Sequence, residues 1–198
     1  MSVLAGGNAI ALLENGLQYF PALEDEIDGA RREIFFQTYI FDPDDTGRRI
    51  AAALVRAASR GVAVHLLVDG FGGRAFVREL MSDLVSCGVQ VLIYRMELRL
   101  LSLRRHRLRR MHRKVVVVDG RVAFVGGINV VDDVSGDAVR PPRYDYAVRV
   151  EGPLLGPIVD SAHRLWRMLA WASFRRRVSV PVLAPARVEV AAIFARHF

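Results

Sequence analysis

Apolar positions in this chain recur at two spacings, and the switches between them mark out the elements. Asn8 to Leu13 reads as a short strand. From Gly16 to Gly29 the apolar residues Leu17, Phe20, Leu23 and Ile27 fall at helical spacing. Glu33 to Phe41 is a run of aromatic and β-branched residues that predicts a strand, broken by Asp42-Pro43-Asp44-Asp45. Thr46 is placed to cap a helix running to about Arg60, which Gly61 ends. Val62 to Val68 is the next strand, Asp69 to Gly73 a glycine-rich strand-to-helix turn, and Ala75 to Cys87 a helix with Gly88 as its C′ residue. Val89 to Tyr94 closes the series as a strand. Strand, helix, strand, helix, strand predicts parallel βαβ units with helices on the sheet faces, and ligand crevices in such folds lie at the carboxyl ends of strands, where Asp69 sits.

The pattern then changes. Lys114 to Val118 and Arg121 to Val125 flank Asp119-Gly120, a two-residue hairpin signal. Val130 to Arg143 reads as a polar loop with Asp132 and Asp133, and Tyr144 to Glu151 as a strand carrying Asp145. Gly152-Pro153 breaks that strand. Leu154 to about Phe174 is a helix with Ile158, Ala162, Leu165, Leu169 and Ala172 in register, in which Trp166 and Trp171 read as packing residues or interfacial anchors. Arg175 to Phe198 starts with a basic cluster and holds a short strand signal at Val188 to Ile193. The division expected is a domain over residues 1–175 and a tail over 176–198 that opens a second, truncated one.

With 198 residues the chain fits one domain able to bury a real core. Cys87 is its single cysteine, so an internal disulfide is excluded and a reducing compartment is expected. Arg31 is the first basic residue, which leaves no basic n-region for a secretory signal, and no apolar run is long enough to span a bilayer. The net charge of +7 calls for an anionic partner, a nucleic acid or an anionic membrane surface. Much of that charge lies between Arg95 and Arg113, where Arg95, Arg99, Arg104, Arg105, Arg107, Arg109, Arg110 and Arg113 alternate with leucine and methionine. Leu98, Leu100, Leu101, Leu103 and Leu108 favour a lipid interface there, because base-stacking aromatics are missing. A solvated arginine-rich loop is the plainer reading.

Next to this stretch stands the chemistry. In an extended chain His112 and Lys114 project from one face. An imidazole attacks a phosphorus centre, and an adjacent ammonium stabilises the oxygens on which charge accumulates. Gly126 and Gly127 allow close backbone approach, and Asn129 adds an amide donor, so Lys114, Asn129, Gly126 and Gly127 are the candidate substrate-binding group. Among 28 lysines and arginines, Lys114 is the single lysine, and it lies beside the candidate nucleophile. Asp119 reads from its spacing as a turn aspartate. Asp145 is the choice for a carboxylate that hydrogen-bonds the imidazole and sets its tautomer. No carboxylate or Cys/His cluster has metal-ligand spacing, so neither a metal nor another cofactor is expected.

The pattern H-x-K-x4-D-x6-G-G-x-N over His112–Asn129 resembles the HKD signature of the phospholipase D superfamily. Asp132-Asp133, the run Tyr144-Asp145-Tyr146-Ala147-Val148-Arg149-Val150-Glu151-Gly152-Pro153, Leu13-Glu14-Asn15-Gly16 and Val68-Asp69-Gly70-Phe71-Gly72 are similar to its bacterial cardiolipin synthase branch. Gln37 departs from that branch, where glutamate is common. The resemblance covers residues 8–175 and implies an α/β fold: a mixed sheet flanked by helices, one HKD half-domain. It also implies a phosphohistidine intermediate, with two motifs facing each other across a pseudo-two-fold axis, and His112, Lys114, Asp119, Asn129 and Asp145 as the catalytic group. In that group Asp119 would support the histidine's surroundings, a reading of equal weight to the turn aspartate. His65, His106, His163 and His197 head no second H-x-K, so a homodimer or a second HKD half is the expected partner.

Three functions follow in order: phosphatidyl transfer from a phosphatidylglycerol-like phospholipid at an anionic membrane surface, peripheral on its cytoplasmic side; a homodimeric phosphodiesterase or nuclease, with nucleic acid the less favoured partner; and a catalytically incomplete fragment.

Overall fold

A computed structural model describes residues 6–95, 110–132 and 144–177, with side chains described as far as residue 173. The expected basic platform over residues 96–109, most of the loop over 133–143 and the strand signal at 188–193 lie outside the described residues.

Seven strands form one mixed sheet in the order β1-β7-β6-β5-β2-β3-β4. They are β1 (Ala9–Glu14), β2 (Glu33–Thr38), β3 (Ala63–Asp69), β4 (Gln90–Tyr94), β5 (Val115–Val118), β6 (Val122–Gly126) and β7 (Tyr146–Glu151). The helices are α1 (Asn15–Gly29), α2 (Asp45–Ser59), α3 (Arg74–Glu79), α4 (Met81–Ser86) and α5 (Leu155–Arg177). The βαβ units predicted from the first half are present: β2 pairs β3 and β3 pairs β4 in parallel. The other neighbours, β2–β5, β5–β6, β6–β7 and β7–β1, are antiparallel, so short turns link β5 to β6 without a crossover.

Strand periodicity divides the core between the two faces. Ile34 and Phe36, Val64 and Leu66, and Val116 and Val118 pack with Phe20, Leu23, Ile50, Leu54, Phe76 and Leu84 of α1–α4. Phe35, Leu67, Val115 and Val117 pack with Leu155, Ala162 and Trp166 of α5 on the opposite face. All four valines of β5 are buried, as a central strand covered on both sides requires. Trp166 is a packing residue, edge-on to Phe35, whereas Trp171 is exposed.

Three local expectations are corrected. Asp44, not Thr46, caps α2, its carboxylate accepting from the Gly47 N–H at 2.8 Å; a carboxylate one residue ahead of the first turn also faces the positive end of the helix dipole. The helix expected over Ala75–Cys87 is two short ones. Buried Leu80 has φ −119°, yet its N–H still reaches the Phe76 carbonyl and its own carbonyl accepts from Leu84, so the break is a kink. In the hairpin, Val118 pairs with Val122, leaving three residues in the loop where two were expected. Asp119 and Gly120 take φ of 54° and 63°, and Arg121 N–H closes the turn on the Val118 carbonyl.

Candidate active site

The site gathers where β2 ends, β5 begins, and the chain passes from β6 and into β7. His112 is exposed; Lys114, two residues on, is 8 % exposed. Their side chains do share a face, with Lys114 Nζ 3.2 Å from His112 Nδ1. An ammonium has no acceptor lone pair, so a protonated Lys114 donates to Nδ1 and the neutral imidazole then keeps its proton on Nε2. Burial lowers the Lys114 pKa, and the charge of Asp145 offsets part of that effect. Tyr39, just past the end of β2, lies against both: its ring centroid is 4.7 Å from the imidazole and 5.5 Å from Nζ.

Two backbone anchors hold this group. Met111, next to His112, gives its N–H to Asp69 Oδ2 at 2.8 Å, while Asp69 Oδ1 accepts from Phe71 at 2.9 Å. Asp69 is buried at the carboxyl end of β3, and it fixes the glycine-rich turn to the segment that presents the imidazole. Asn129 Oδ1 accepts from the Ile40 N–H at 3.1 Å, which fixes the amide so that its nitrogen is the end not used by that bond. Val130 N–H bonds the Ile40 carbonyl as well, so the Gly-Gly-x-Asn segment is laced to the residues following β2.

Two of the expected roles change. Asp119 does not join this group. It sits at the other end of β5, where its carboxylate accepts from the backbone N–H groups of Arg31, Arg32 and Glu33 at 2.8–3.0 Å and its own N–H bonds the Glu33 carbonyl. Burial pushes its carboxyl up, but the three N–H donors and Arg121 outweigh that and hold it below the ordinary aspartate value. Gly126 and Gly127 make room for the protein itself. A Cβ on Gly126 would lie 2.4 Å from both Ala147 Cα and the Tyr146 carbonyl oxygen, and one on Gly127 2.9 Å from Asp145 Oδ1. The pair thus lets β7 and the Asp145 carboxylate lie close, in the space a side chain at either position would fill.

Asp145, expected to hydrogen-bond the imidazole, acts through its charge on Lys114, and the described partner of His112 Nδ1 is the Lys114 ammonium. Tyr39 carries no motif signal; Asp69 and Asn15, whose part is set out below, stand in segments similar to the cardiolipin synthase branch, but neither is among the site residues expected from sequence. Gln37 is buried on β2, with Nε2 donating to the Ala162 carbonyl at 3.0 Å and Oε1 unpartnered among the described residues. Among the described residues no group of three or more His, Cys, Asp or Glu is placed to hold a metal ion.

Sequence and fold comparisons relate the chain to known proteins. A family model described as "Cardiolipin synthase, PLD-like domain" fits residues 23–134. The chain belongs to this family. Curated relatives include cardiolipin synthase B of Salmonella typhi, 44% identical over 154 residues that cover 78% of this chain and 37% of that protein. The Escherichia coli K12 cardiolipin synthase B is 40% identical over 171 residues, 81% of this chain and 41% of that one. The chain therefore spans about two fifths of the length of these relatives.

Among solved structures, NucT of Helicobacter pylori aligns with a TM-score of 0.64 at 17% identity, covering 82% of this chain and 98% of NucT. The phospholipase D family member Nuc of Salmonella typhimurium aligns with a TM-score of 0.59 at 21% identity, covering 81% of this chain and 95% of Nuc. These two show the shared fold.

Proposed function

We propose that this chain forms half of a phosphatidyl-transfer site of the cardiolipin synthase type, with a second HKD motif supplied by another half or by a second copy. The observation that carries the reading is the His112–Lys114 pair: an exposed imidazole held at 3.2 Å from the chain's one lysine. Identity of 40–44% to cardiolipin synthase B supports the lipid substrate over other phosphodiesters.

In the proposed cycle one imidazole nitrogen attacks the phosphorus of a phosphatidylglycerol-like donor. An N–P bond forms, the P–O bond to the glycerol headgroup breaks, and the departing oxygen takes a proton from the facing imidazole. The hydroxyl of an acceptor lipid then attacks phosphorus, gives its proton back to that imidazole and releases the first. Lys114 and the Asn129 amide neutralise the phosphoryl oxygens. With Lys114 on Nδ1 the imidazole is neutral and carries its proton on Nε2, a resting state; both attack through a free Nε2 and protonation of a leaving group by the imidazolium require Nδ1–H to turn to a carboxylate, for which Asp145 is our choice. Asp119 has no step in this cycle.

The net charge of +7 suits an anionic lipid surface, and we place the protein peripherally on the cytoplasmic side of the membrane. Among the described residues no helix is long and apolar enough to cross one. A second reading, phosphodiester hydrolysis by a pair of copies, is favoured by the fact that the chain spans nearly all of Nuc and NucT.

The test is to incubate the full chain with phosphatidylglycerol vesicles and follow glycerol release and a lipid bearing two phosphatidyl groups. His112-dependent formation of that lipid supports the first reading. DNA cleavage in chelator that His112→Ala abolishes, without lipid product, supports the second. Vesicle binding unchanged by His112→Ala, with neither product, would leave an inactive half.

A further inference from the structure

The geometry points to Asn15 as a positioning residue for the site: it clasps the backbone of Asp145 and so holds that carboxylate where it acts on Lys114. The inference rests on the reading of Lys114 as the phosphate-binding cation. It adds a residue from the opening of the chain, outside the 23–134 stretch that the family model matches.

Three observations converge. First, the β1–β7 ladder ends at the Glu14–Tyr146 pair, and Asn15 carries the pairing one residue further by different means. Its N–H donates to the Asp145 carbonyl at 2.9 Å, and its side-chain Oδ1 accepts from the Asp145 N–H at 3.0 Å. One residue thereby satisfies both backbone groups of Asp145. Second, Asn15 does this with φ of +56°, a conformation that costs most side chains energy and that asparagine tolerates better than almost any residue except glycine. α1 begins at this same residue. An ordinary helix start needs no left-handed residue, so the turn serves to bring the amide back onto β7. Third, the Asp145 carboxylate rests against Gly127, in space that any Cβ there would enter. Clasped from behind by Asn15 and admitted in front by Gly127, the carboxylate has little freedom. Its charge raises the pKa of Lys114 against the lowering effect of burial. The other described groups against Lys114 are the His112 imidazole at 3.2 Å and the Tyr39 ring at 5.5 Å, neither of which brings a negative charge while Tyr39 is protonated.

Because Lys114 is the only lysine, a full-length protein labelled with 13C,15N-lysine gives one side-chain signal, and its Cε shift against pH reads the Lys114 midpoint directly. The quantity to compare is the change in that midpoint caused by Asp145→Asn, measured with Asn15 intact and in Asn15→Gly. Glycine keeps the positive φ but removes the acceptor for the Asp145 N–H. With Asn15 intact, Asp145→Asn should lower the Lys114 midpoint; in Asn15→Gly most of that change should be lost, because the carboxylate is already out of place. Asn15→Asp retains both the acceptor and a tolerance for positive φ. Its added charge cancels in the difference, so it should keep the wild-type change and serves as the second variant if Asn15→Gly does not fold. A change of undiminished size in Asn15→Gly, or one lost equally in Asn15→Asp, would overturn the assignment. No substrate enters the measurement. Its failure with lipid transfer intact would remove Asn15 alone, and lipid transfer could fail with the Asn15–Lys114 link standing.

Discussion

The two ends of β5 carry the motif's lysine and its aspartate, and they do different work. At the entry, Lys114 is buried against an exposed imidazole and the ring of Tyr39, with the Asp145 carboxylate acting from just before β7. Among the described residues no carboxylate is hydrogen-bonded to this cation; a cation removed from water in that state is costly for folding and can take an incoming anion. At the exit, Asp119 is surrounded by donors, with three backbone N–H groups on its carboxylate and its own N–H on Glu33. That end is satisfied and fixes where β2 and β5 start to pair. One spacing in the sequence thus joins the end proposed to be reactive to a folding end. The residue type reveals the difference only once the partners are known.

The largest effect should come at the entry. In the assembled two-motif site, His112→Ala should lower phosphodiester turnover roughly 10²–10⁴-fold, while the thermal midpoint stays near wild type because the ring is exposed. Next comes Gly126→Ala. Its Cβ would meet backbone of β7 at 2.4 Å, so the strands must part. We expect a loss of about 3 kcal/mol, the upper part of the overpacking range, seen as a melting point lower by about 2–4 °C per kcal/mol for a chain of this size.

Gly127→Ala sharpens the comparison, because the atom it meets at 2.9 Å belongs to the Asp145 side chain and not to strand backbone. It should spare the melting point and reduce turnover by about 10- to 100-fold through misplacement of that group. Asp119→Ala should do the reverse. Two of its three N–H partners are exposed and can turn to water, so a cost of about 1 kcal/mol is expected, with turnover per folded molecule unchanged.

The smallest effect is on acid stability. Asp119 and Glu26 both have carboxyl pKa values below the ordinary range. For Glu26, burial acts upward but is outweighed by its bonds to Arg149 and Arg121. A carboxylate whose folded pKa is depressed contributes stability above its unfolded value, near pH 4, and loses it as pH falls through the folded value. Denaturant midpoints should therefore drop below about pH 4, and by less in Asp119→Ala than in wild type.

Much of this was legible in the chain. The βαβ half followed from periodicity, because β2 and β3 are flanked by breakers and their apolar positions are packed on both faces. The His112–Lys114 juxtaposition followed from the two-residue spacing alone. What escaped depended on contacts between distant segments. Asp119 bonds to residues more than 80 positions away, and the double glycine is explained by the backbone of β7 against Gly126 and by Asp145 against Gly127. Asn15 reaches across 130 positions to the backbone of Asp145. Asp44 displaced Thr46 as the cap because side-chain geometry at a helix start decides among adjacent candidates.

The most direct test of this division pairs two variants in one experiment: turnover of a soluble phosphodiester and thermal melting, for His112→Ala and Asp119→Ala alongside wild type. The account predicts a crossover, with turnover lost and melting retained in the first, and melting lowered and turnover retained in the second. An Asp119→Ala protein that melts like wild type but no longer turns over would contradict it, as would a His112→Ala protein that remains active.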